Sequence, residues 1–230
     1  VPVTIGGRWP VARYAGSATE FHERAIPEPA ARAVWWFEVT RAAIALGSTQ
    51  RWDVVDPVAA AAADVEVVRR RSGGGAVWLE PGAVTWIDVI LPHDDPRWTD
   101  DVSCAALWLG TAWAGALHDL GFRDARVHDG PMVRTPHSGL VCFAGLAPGE
   151  VVLGDAKVVG ISQRRTRAGA RFQCAVLHRW DPEPLVAVLA LPAAERHALV
   201  VELADAGTGL GAVAPEAIVG ALLARLRLHP

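Results

Sequence analysis

Lysine is almost absent from this 230-residue chain. Lys157 is the only one, and arginine fills every other position among the 22 Lys+Arg residues. A coding bias toward arginine accounts for the scarcity but not for the place of the survivor. Lysine is a compact ammonium on a flexible stem, whereas arginine is a planar fork. A site that needs a movable point charge against a small reacting group cannot accept the fork, so Lys157 is singled out; survival by chance is the competing reading. Cysteine is also scarce. Cys104, Cys142 and Cys174 are odd in number and form no CxxC pair, which excludes a disulfide framework and a structural zinc site and leads us to expect a reducing cytoplasm. Charge of one sign is lacking too: the formal net charge is −3, so nothing pulls the whole chain toward nucleic acid, and any anion site must be local. No apolar run spans a bilayer, the best one, Leu185 to Leu191, stopping at Pro192. The N-terminus does not read as a basic-plus-apolar signal. There is no repeat, low-complexity linker or composition break, so residues 1–230 are expected to form one domain.

What is present suits a folded protein with a sizeable core: 51% of residues are hydrophobic and 20% charged. Ten tryptophans stand out. Trp78 and Trp86 fall in predicted strands, and Trp108 and Trp113 in a predicted helix; they read as core, with an apolar slot for an acyl chain as the alternative.

Hydrophobic periodicity orders the elements. Residues 1–30 are loop-rich, with a short helix from Ser17, where Ser17 and Glu20 have capping-box spacing and Pro27 and Pro29 end it. Strands are predicted over 34–39, 42–46, 65–70, 76–79 and 84–91, with a small alanine-rich helix or turn at 58–63. Thr99 is a candidate N-cap for a long helix in which Val102, Ala106, Leu109, Trp113, Leu117 and Leu120 recur at helical spacing, and Gly121 stops it. Strand-like pieces follow at 125–128, 140–144, 151–153, 157–163 and 171–177, and then helices at 193–204 and 215–227. Many of these strands are joined by turns too short for parallel crossovers. The order therefore predicts an α+β domain with a mixed, largely antiparallel sheet and covering helices.

The second chemical signal is Arg69-Arg70-Arg71-Ser72-Gly73-Gly74-Gly75-Ala76-Val77. Three consecutive glycines let backbone approach a ligand, and their N–H groups beside arginines suit an anion. No Gly-Lys-Ser/Thr follows, and the GxGxxG spacing is absent, so neither a Walker loop nor a dinucleotide fingerprint is present. Taken alone, the segment reads as a glycine-rich hairpin turn.

Paired with Lys157-Val158-Val159-Gly160-Ile161-Ser162-Gln163-Arg164-Arg165, however, Arg70-Arg71-Ser72-Gly73-Gly74-Gly75-Ala76-Val77 resembles the lipoate–protein ligase, octanoyltransferase and biotin ligase superfamily. Leu46-Gly47-Ser48-Thr49-Gln50 is similar to that family's early Leu-Gly-x-x-Gln turn. The resemblance covers about residues 30–180 and leaves 181–230 as C-terminal helices. It implies the class II synthetase/biotin ligase-like fold and an acyl pocket walled by the glycine loop and the Lys157 strand. It implies that a lipoyl or octanoyl acid is activated with ATP and Mg2+ and passed to a lysine of a lipoyl carrier domain. On that implication Lys157 holds the acyl carbonyl and a neighbouring phosphate. Arg70, Arg71, Ser72, Gly73, Gly74, Gly75, Ala76, Val77, Gly160, Ser162 and Gln163 hold the ligand, and no metal ligand is supplied by spacing. The chemistry is sound in its own right, because acyl transfer builds negative charge on an oxygen and preorganised donors stabilise it. No base for the acceptor amine is evident.

The resemblance carries a competing chemistry. Cys142-Phe143 matches a pair that supplies the thiol nucleophile in one octanoyltransferase group, where octanoyl passes from acyl carrier protein to the thiol and then to the target lysine without ATP or another cofactor. Such a thiol needs a positive neighbourhood, with Lys157 and His137 as candidates; an inert buried cysteine is the alternative. A non-catalytic acyl- or adenylate-binding relative is the third reading. The pattern also departs from the family: Leu79-Glu80 follows Trp78 in place of His-Asp, Gly82-Ala83 replaces Gly-Asn or Gly-Asp, Gln173-Cys174-Ala175 replaces Gln-His-Gly, and asparagine is absent altogether. Larger ligases carry a further C-terminal domain, so adenylation is expected to need a partner protein. Arg164, Arg165, Arg167 and Arg171 read either as a solvated face or as a docking patch for phosphate or an acidic carrier. His93-Asp94-Asp95 and His128-Asp129 read as polar turns.

Overall fold

The computed structural model describes residues 8–228. The first strand, β1 (Val11–Gly16), runs parallel to β2 (Ala33–Val39). Between them lies α1 (Ala18–Glu23), which starts where the sequence places it: Ser17 Oγ accepts the Glu20 N–H, and the Glu20 carboxylate accepts the Ser17 N–H. The prolines do not end it. The helix stops at Arg24 because the Phe21 and Arg24 carbonyls accept from the Arg171 guanidinium instead of continuing the ladder.

β3 (Ala43–Leu46), α2 (Pro57–Ala62, capped by Asp56) and β4 (Glu66–Arg69) form a parallel crossover. β5 (Val77–Leu79) returns antiparallel on the other side of β3, giving a three-stranded sheet of order β4-β3-β5. The Ser72–Gly75 segment is therefore not a hairpin turn. It passes across the end of β3, since β4 and β5 do not pair with each other.

The large sheet is completed by β6 (Val84–Pro92), β7 (Ala125–Val127), β8 (Val151–Leu153), β9 (Ala156–Arg165) and β10 (Gly169–Leu177), in the order β1-β2-β6-β10-β9-β8-β7. Every neighbouring pair in it is antiparallel except β1 and β2. Four helices remain: α3 (Leu107–Asp119), α4 (Glu183–Ala187), α5 (Ala193–Glu202) and α6 (Pro215–Leu228). The expected α+β class with a mixed, largely antiparallel sheet is what forms.

Strand alternation divides the molecule into layers. Ile87, Val89, Leu91, Val159, Phe172 and Val176 face α3 and α6, where Leu109, Trp113, Leu117, Ile218 and Leu222 meet them. The alternate residues Trp35, Phe37, Trp86 and Ile90 face the small sheet through Ala43, Ala45, Val68 and Leu79. The small sheet's other side packs on α4 and α5.

Three local expectations differ. Thr99 is not the N-cap of α3; its hydroxyl accepts the Asp101 N–H, and the Asp101 carboxylate accepts the Ser103 N–H, so successive side chain–backbone turns outcompete the helix until Leu107. Val102 is consequently exposed. Residues 140–144 are not a strand but a 3-10 turn over Cys142–Ala144, held to the small sheet by one bridge between Ala76 and Val141. Finally, β1 lies inside the segment read as loop, because as an edge strand it pairs on one side only and alternates weakly.

Candidate active site

Between the two sheets runs a cavity holding about 420 Å³ of empty space, part of it open to solvent. Its floor is a transverse row of the large sheet: Gly160 on β9 pairs with Ala175 on β10, which pairs with Trp86 on β6. Its roof is Ala45, Val77 and Leu79 of the small sheet. At one end stands the Cys142–Ala144 turn. Phe143 closes over Gly160, where a Cβ would meet the ring at 3.2 Å. At the other end His22 of α1 packs its ring on Trp86, with centroids 4.5 Å apart. Only Trp86 of the ten tryptophans lines this cavity; Trp113 is core.

The thiol of Cys142 is one wall of the cavity, and the Arg70 guanidinium lies beside it, Nη2 donating to Sγ at 3.7 Å. Arg70 is itself buried and fixed by donating to Ser72 Oγ at 2.9 Å and to the Gly75 carbonyl at 2.9 Å. Ser72 is a hub behind the wall. It lies 3.0 Å from Ser162 Oγ and donates to Gln173 Oε1 at 2.9 Å. Both of its lone pairs and its proton are thereby used.

The glycine run holds two stretches of backbone against the Cys142 turn. A Cβ on Gly75 would lie 2.7 Å from the backbone of Val141 and Cys142, and a Cβ on Gly47 would lie 1.8 Å from the Gly74 carbonyl oxygen. Gly74 has φ +100, which L side chains rarely adopt. Gln50 completes the clamp: its side-chain oxygen accepts the Gly47 N–H at 2.8 Å, and its amide donates to the Gly139 and Leu140 carbonyls at 3.1 Å. The Leu46–Gln50 and Ser72–Gly75 segments thus meet at the approach to Cys142.

Lys157 lies under the same turn but on its far side. The buried ammonium donates to the Cys142 carbonyl at 2.8 Å, the Gly145 carbonyl at 2.8 Å and Glu150 Oε2 at 2.9 Å, with the Phe143 ring 4.8 Å away. All three ammonium protons are engaged. Lys157 is not among the lining residues of the cavity that Cys142 enters; it borders a second cleft with His137, Asp155, Glu202 and Asp205. Glu150, which sequence reasoning missed, is buried and also accepts the Ala147 and Ile161 N–H groups. His137 pairs with Glu202 in that second cleft and not with Cys142.

The other sequence candidates separate by strand face. Val77, Gly160 and Ser162 line the cavity. Gln163 points to the helix side, donating to the Val102 carbonyl at 2.7 Å, and Ala76 is fully buried core. Gly73 is exposed, with nothing near its would-be Cβ. Arg71 and Arg164 stand close enough for the charge of Arg71, second to burial, to lower the Arg164 pKa, and neither pairs with a carboxylate among the described residues. Arg171 is not part of any surface patch. It is fully buried and donates to Asp88. His22 and Glu150 had no local pattern to mark them, and tertiary contact alone brings them to the site.

The cysteines divide by environment. Burial pushes the pKa of the Cys174 thiol up. Iodoacetamide at neutral pH is expected to label Cys142 and Cys104 in the folded protein and to spare Cys174, which reacts only in urea; peptide mass spectrometry reads this. Equal labelling of all three in the folded state would contradict the assigned burial.

The family described as lipoyl protein ligase A/B catalytic domain matches residues 17–210. Among solved structures, a bi-partite lipoate protein ligase from Thermoplasma acidophilum, solved in work on an archaeal lipoylation system with its E2 lipoyl domain, superposes with TM-score 0.75 at 18% identity, covering 96% of this chain and 82% of that one. A lipoate-protein ligase A bound with ATP gives TM-score 0.70 at 18% identity over 97% and 85%. A T. acidophilum lipoate protein ligase with bound lipoic acid gives 0.65 at 18% over 86% and 72%. No curated protein matches this sequence.

Proposed function

Because the chain belongs to the lipoyl protein ligase A/B catalytic-domain family, we propose that this enzyme moves a lipoyl or octanoyl group onto a lysine of a lipoyl carrier domain, with the Cys142 thiol holding the acyl group on the way. The observation that carries the reading is the placement of Cys142: it lines the apolar cavity with the Arg70 guanidinium beside its Sγ, whereas the other lining cysteine, Cys174, is fully buried and the Ser162 hydroxyl is engaged with Ser72. An attacking or departing sulfur carries negative charge, and Arg70 supplies the opposite charge at that point. In the first step the Cys142 sulfur attacks the thioester carbonyl of an acyl donor such as acyl carrier protein; a new S–C bond forms and the donor's thiol leaves. In the second step the carrier lysine's amine attacks the Cys142 thioester. An amide forms, and the sulfur leaves with the pair of electrons it had shared. Lys157 positions the reacting turn, since its ammonium ties the Cys142 and Gly145 carbonyls together. The structure of a ligase described with its E2 lipoyl domain supports the choice of acceptor.

A second reading is favoured by one observation. Arg71 and Arg164, close together without a carboxylate, with Arg164 Nη1 buried and unpartnered among the described residues, suit the phosphates of ATP. Bound ATP with Mg2+ would supply activation of the free acid as an acyl-adenylate, and the ATP-bound ligase of the same fold supports this. The two are separated by incubating the protein with octanoyl-loaded acyl carrier protein without ATP, and in parallel with lipoic acid, ATP and Mg2+. An octanoyl mass increment on the Cys142 peptide in the first mixture is the expected result. Pyrophosphate release in the second mixture, with Cys142 unmodified in both, would replace the thioester reading with the ligase reading.

A further inference from the structure

Two side chains that line the cavity, Arg70 and His22, each keep one buried nitrogen without a partner among the described residues, Arg70 Nε beside Cys142 and His22 Nε2 beside Trp86. His22 lines the cavity and is 6% exposed, and its Nε2 has no hydrogen-bond partner among the described residues. Which ring nitrogen carries the proton follows from the chain of bonds behind it. Arg70 donates to Ser72, Ser72 donates to Gln173 Oε1, and the Gln173 amide, a donor only, lies 3.2 Å from His22 Nδ1. Nδ1 therefore accepts, and the proton of the neutral ring sits on Nε2. The ring stays neutral because burial, and then Arg70 and Arg171, hold its pKa well below the ordinary value. Arg171 also fixes the ring's position by binding the Phe21 and Arg24 carbonyls on either side of it.

The Cys142 turn closes over Gly160, and His22 packs on Trp86, at the two ends of the row Gly160–Ala175–Trp86. That row crosses two strand spacings, so about 10 Å separates the ends. A medium-length acyl chain held at Cys142 reaches His22 with its far end.

We propose that His22 is a specificity-determining residue whose Nε2–H donates to a hydrogen-bond acceptor near the distal end of the acyl chain, so that the cavity prefers acceptor-bearing medium-chain acyl groups over plain alkyl ones. This rests on the reading of the cavity as the acyl site. A plain octanoyl chain leaves the N–H buried and unpaired; an oxygen or sulfur near its end satisfies it. A dithiolane offers sulfur, a weak acceptor, at that end.

The test is equilibrium binding of two free acids to the full chain by calorimetry: octanoic acid, and a keto-octanoic acid with the ketone next to the terminal methyl. The wild-type protein is expected to bind the keto acid about tenfold more tightly, and His22→Phe, which keeps a ring on Trp86, is expected to erase the preference. In the wild-type protein alone, the His22 Nε2–H proton resonance is expected to move downfield with the keto acid and not with octanoic acid, which serves if the variant does not fold. Equal affinities, a preference that survives in His22→Phe, or an unmoved resonance would overturn the assignment while leaving the acyl cavity standing. Binding of neither acid would remove the acyl cavity itself, and this inference with it.

Discussion

Lys157→Met is expected to lose about 3–5 kcal/mol of unfolding free energy, because removing one partner of a buried ion pair leaves the other charge stranded. Both side chains are almost inaccessible, at 3% and 4% exposure, so solvent does little to screen the loss. The loss does not stop at Glu150. The Cys142 and Gly145 carbonyls lose their ammonium donor as well. Adding Glu150→Gln to Lys157→Met is expected to recover part of the stability, since it removes the stranded charge; recovery stays incomplete because the Ala147 and Ile161 N–H groups bond to different carboxylate oxygens and the amide keeps an acceptor for only one of them. Lys157→Arg isolates shape from charge. It preserves a cation opposite Glu150, but a planar fork cannot address three acceptors arranged around one nitrogen, and the added volume in a buried site costs about 1–3 kcal/mol. The 3-10 turn carrying Cys142 must then move, so acyl transfer falls more than stability does. Urea unfolding measures the stability differences, and the rate of acyl incorporation on Cys142 measures the second effect. Unchanged unfolding in Lys157→Met would show that the buried pair does not form; full transfer by Lys157→Arg would show that the turn does not depend on the point charge.

That outcome bears on how the lone lysine reads in sequence. The three engaged protons give a physical reason to expect an ammonium there and not a guanidinium. What the sequence could not supply was direction. An ammonium aimed at a substrate and one aimed at a backbone turn share the same local pattern, and only the packing of Glu150, seven residues away on the preceding loop, distinguishes them. The glycine run shows the same limit. Its spacing is legible, but the close approach that Gly75 permits is to the backbone of Val141 and Cys142, more than sixty residues away in sequence.

The fold was legible where periodicity is strong. β6, β9 and β10 are long and buried on both faces, and α3 carries Leu109, Trp113 and Leu117 on one side. It was illegible where one side of an element meets solvent or where local side-chain bonds compete. β1 is an edge strand, and the Thr99-to-Ser103 turns satisfy backbone groups that a helix would otherwise have claimed. The arginine cluster illustrates both outcomes within a few residues. Arg165 lies over the Trp98 ring at 3.9 Å at the rim, while Arg171, on the inward face of β10, is sealed in the interior.

Arg171→Met is the change expected to connect that interior to the site. Arg171 donates to Asp88, which is fully buried, and to the Phe21 and Arg24 carbonyls, each at 2.6 Å. Its loss strands a carboxylate whose other side-chain donor is the Trp86 indole at 2.7 Å. It also leaves the last carbonyls of α1 without partners. A cost of about 3–5 kcal/mol follows from the stranded charge. Adding Asp88→Asn is expected to return part of it, because the amide still accepts from Trp86 and no charge remains. The carbonyls of α1 are not repaired by that second change, so the helix stays loose in the double variant. Amide hydrogen exchange over residues 18–23 is therefore expected to be faster in both the single and the double variant, although global stability differs between them. His22 rides on this helix, and acyl binding should weaken in step with the loss of protection there. Should α1 remain protected in the double variant, the helix would be held by its contacts with β4, where the Glu66 carboxylate accepts the Ala18 and Thr19 N–H groups, and Arg171 would serve Asp88 alone.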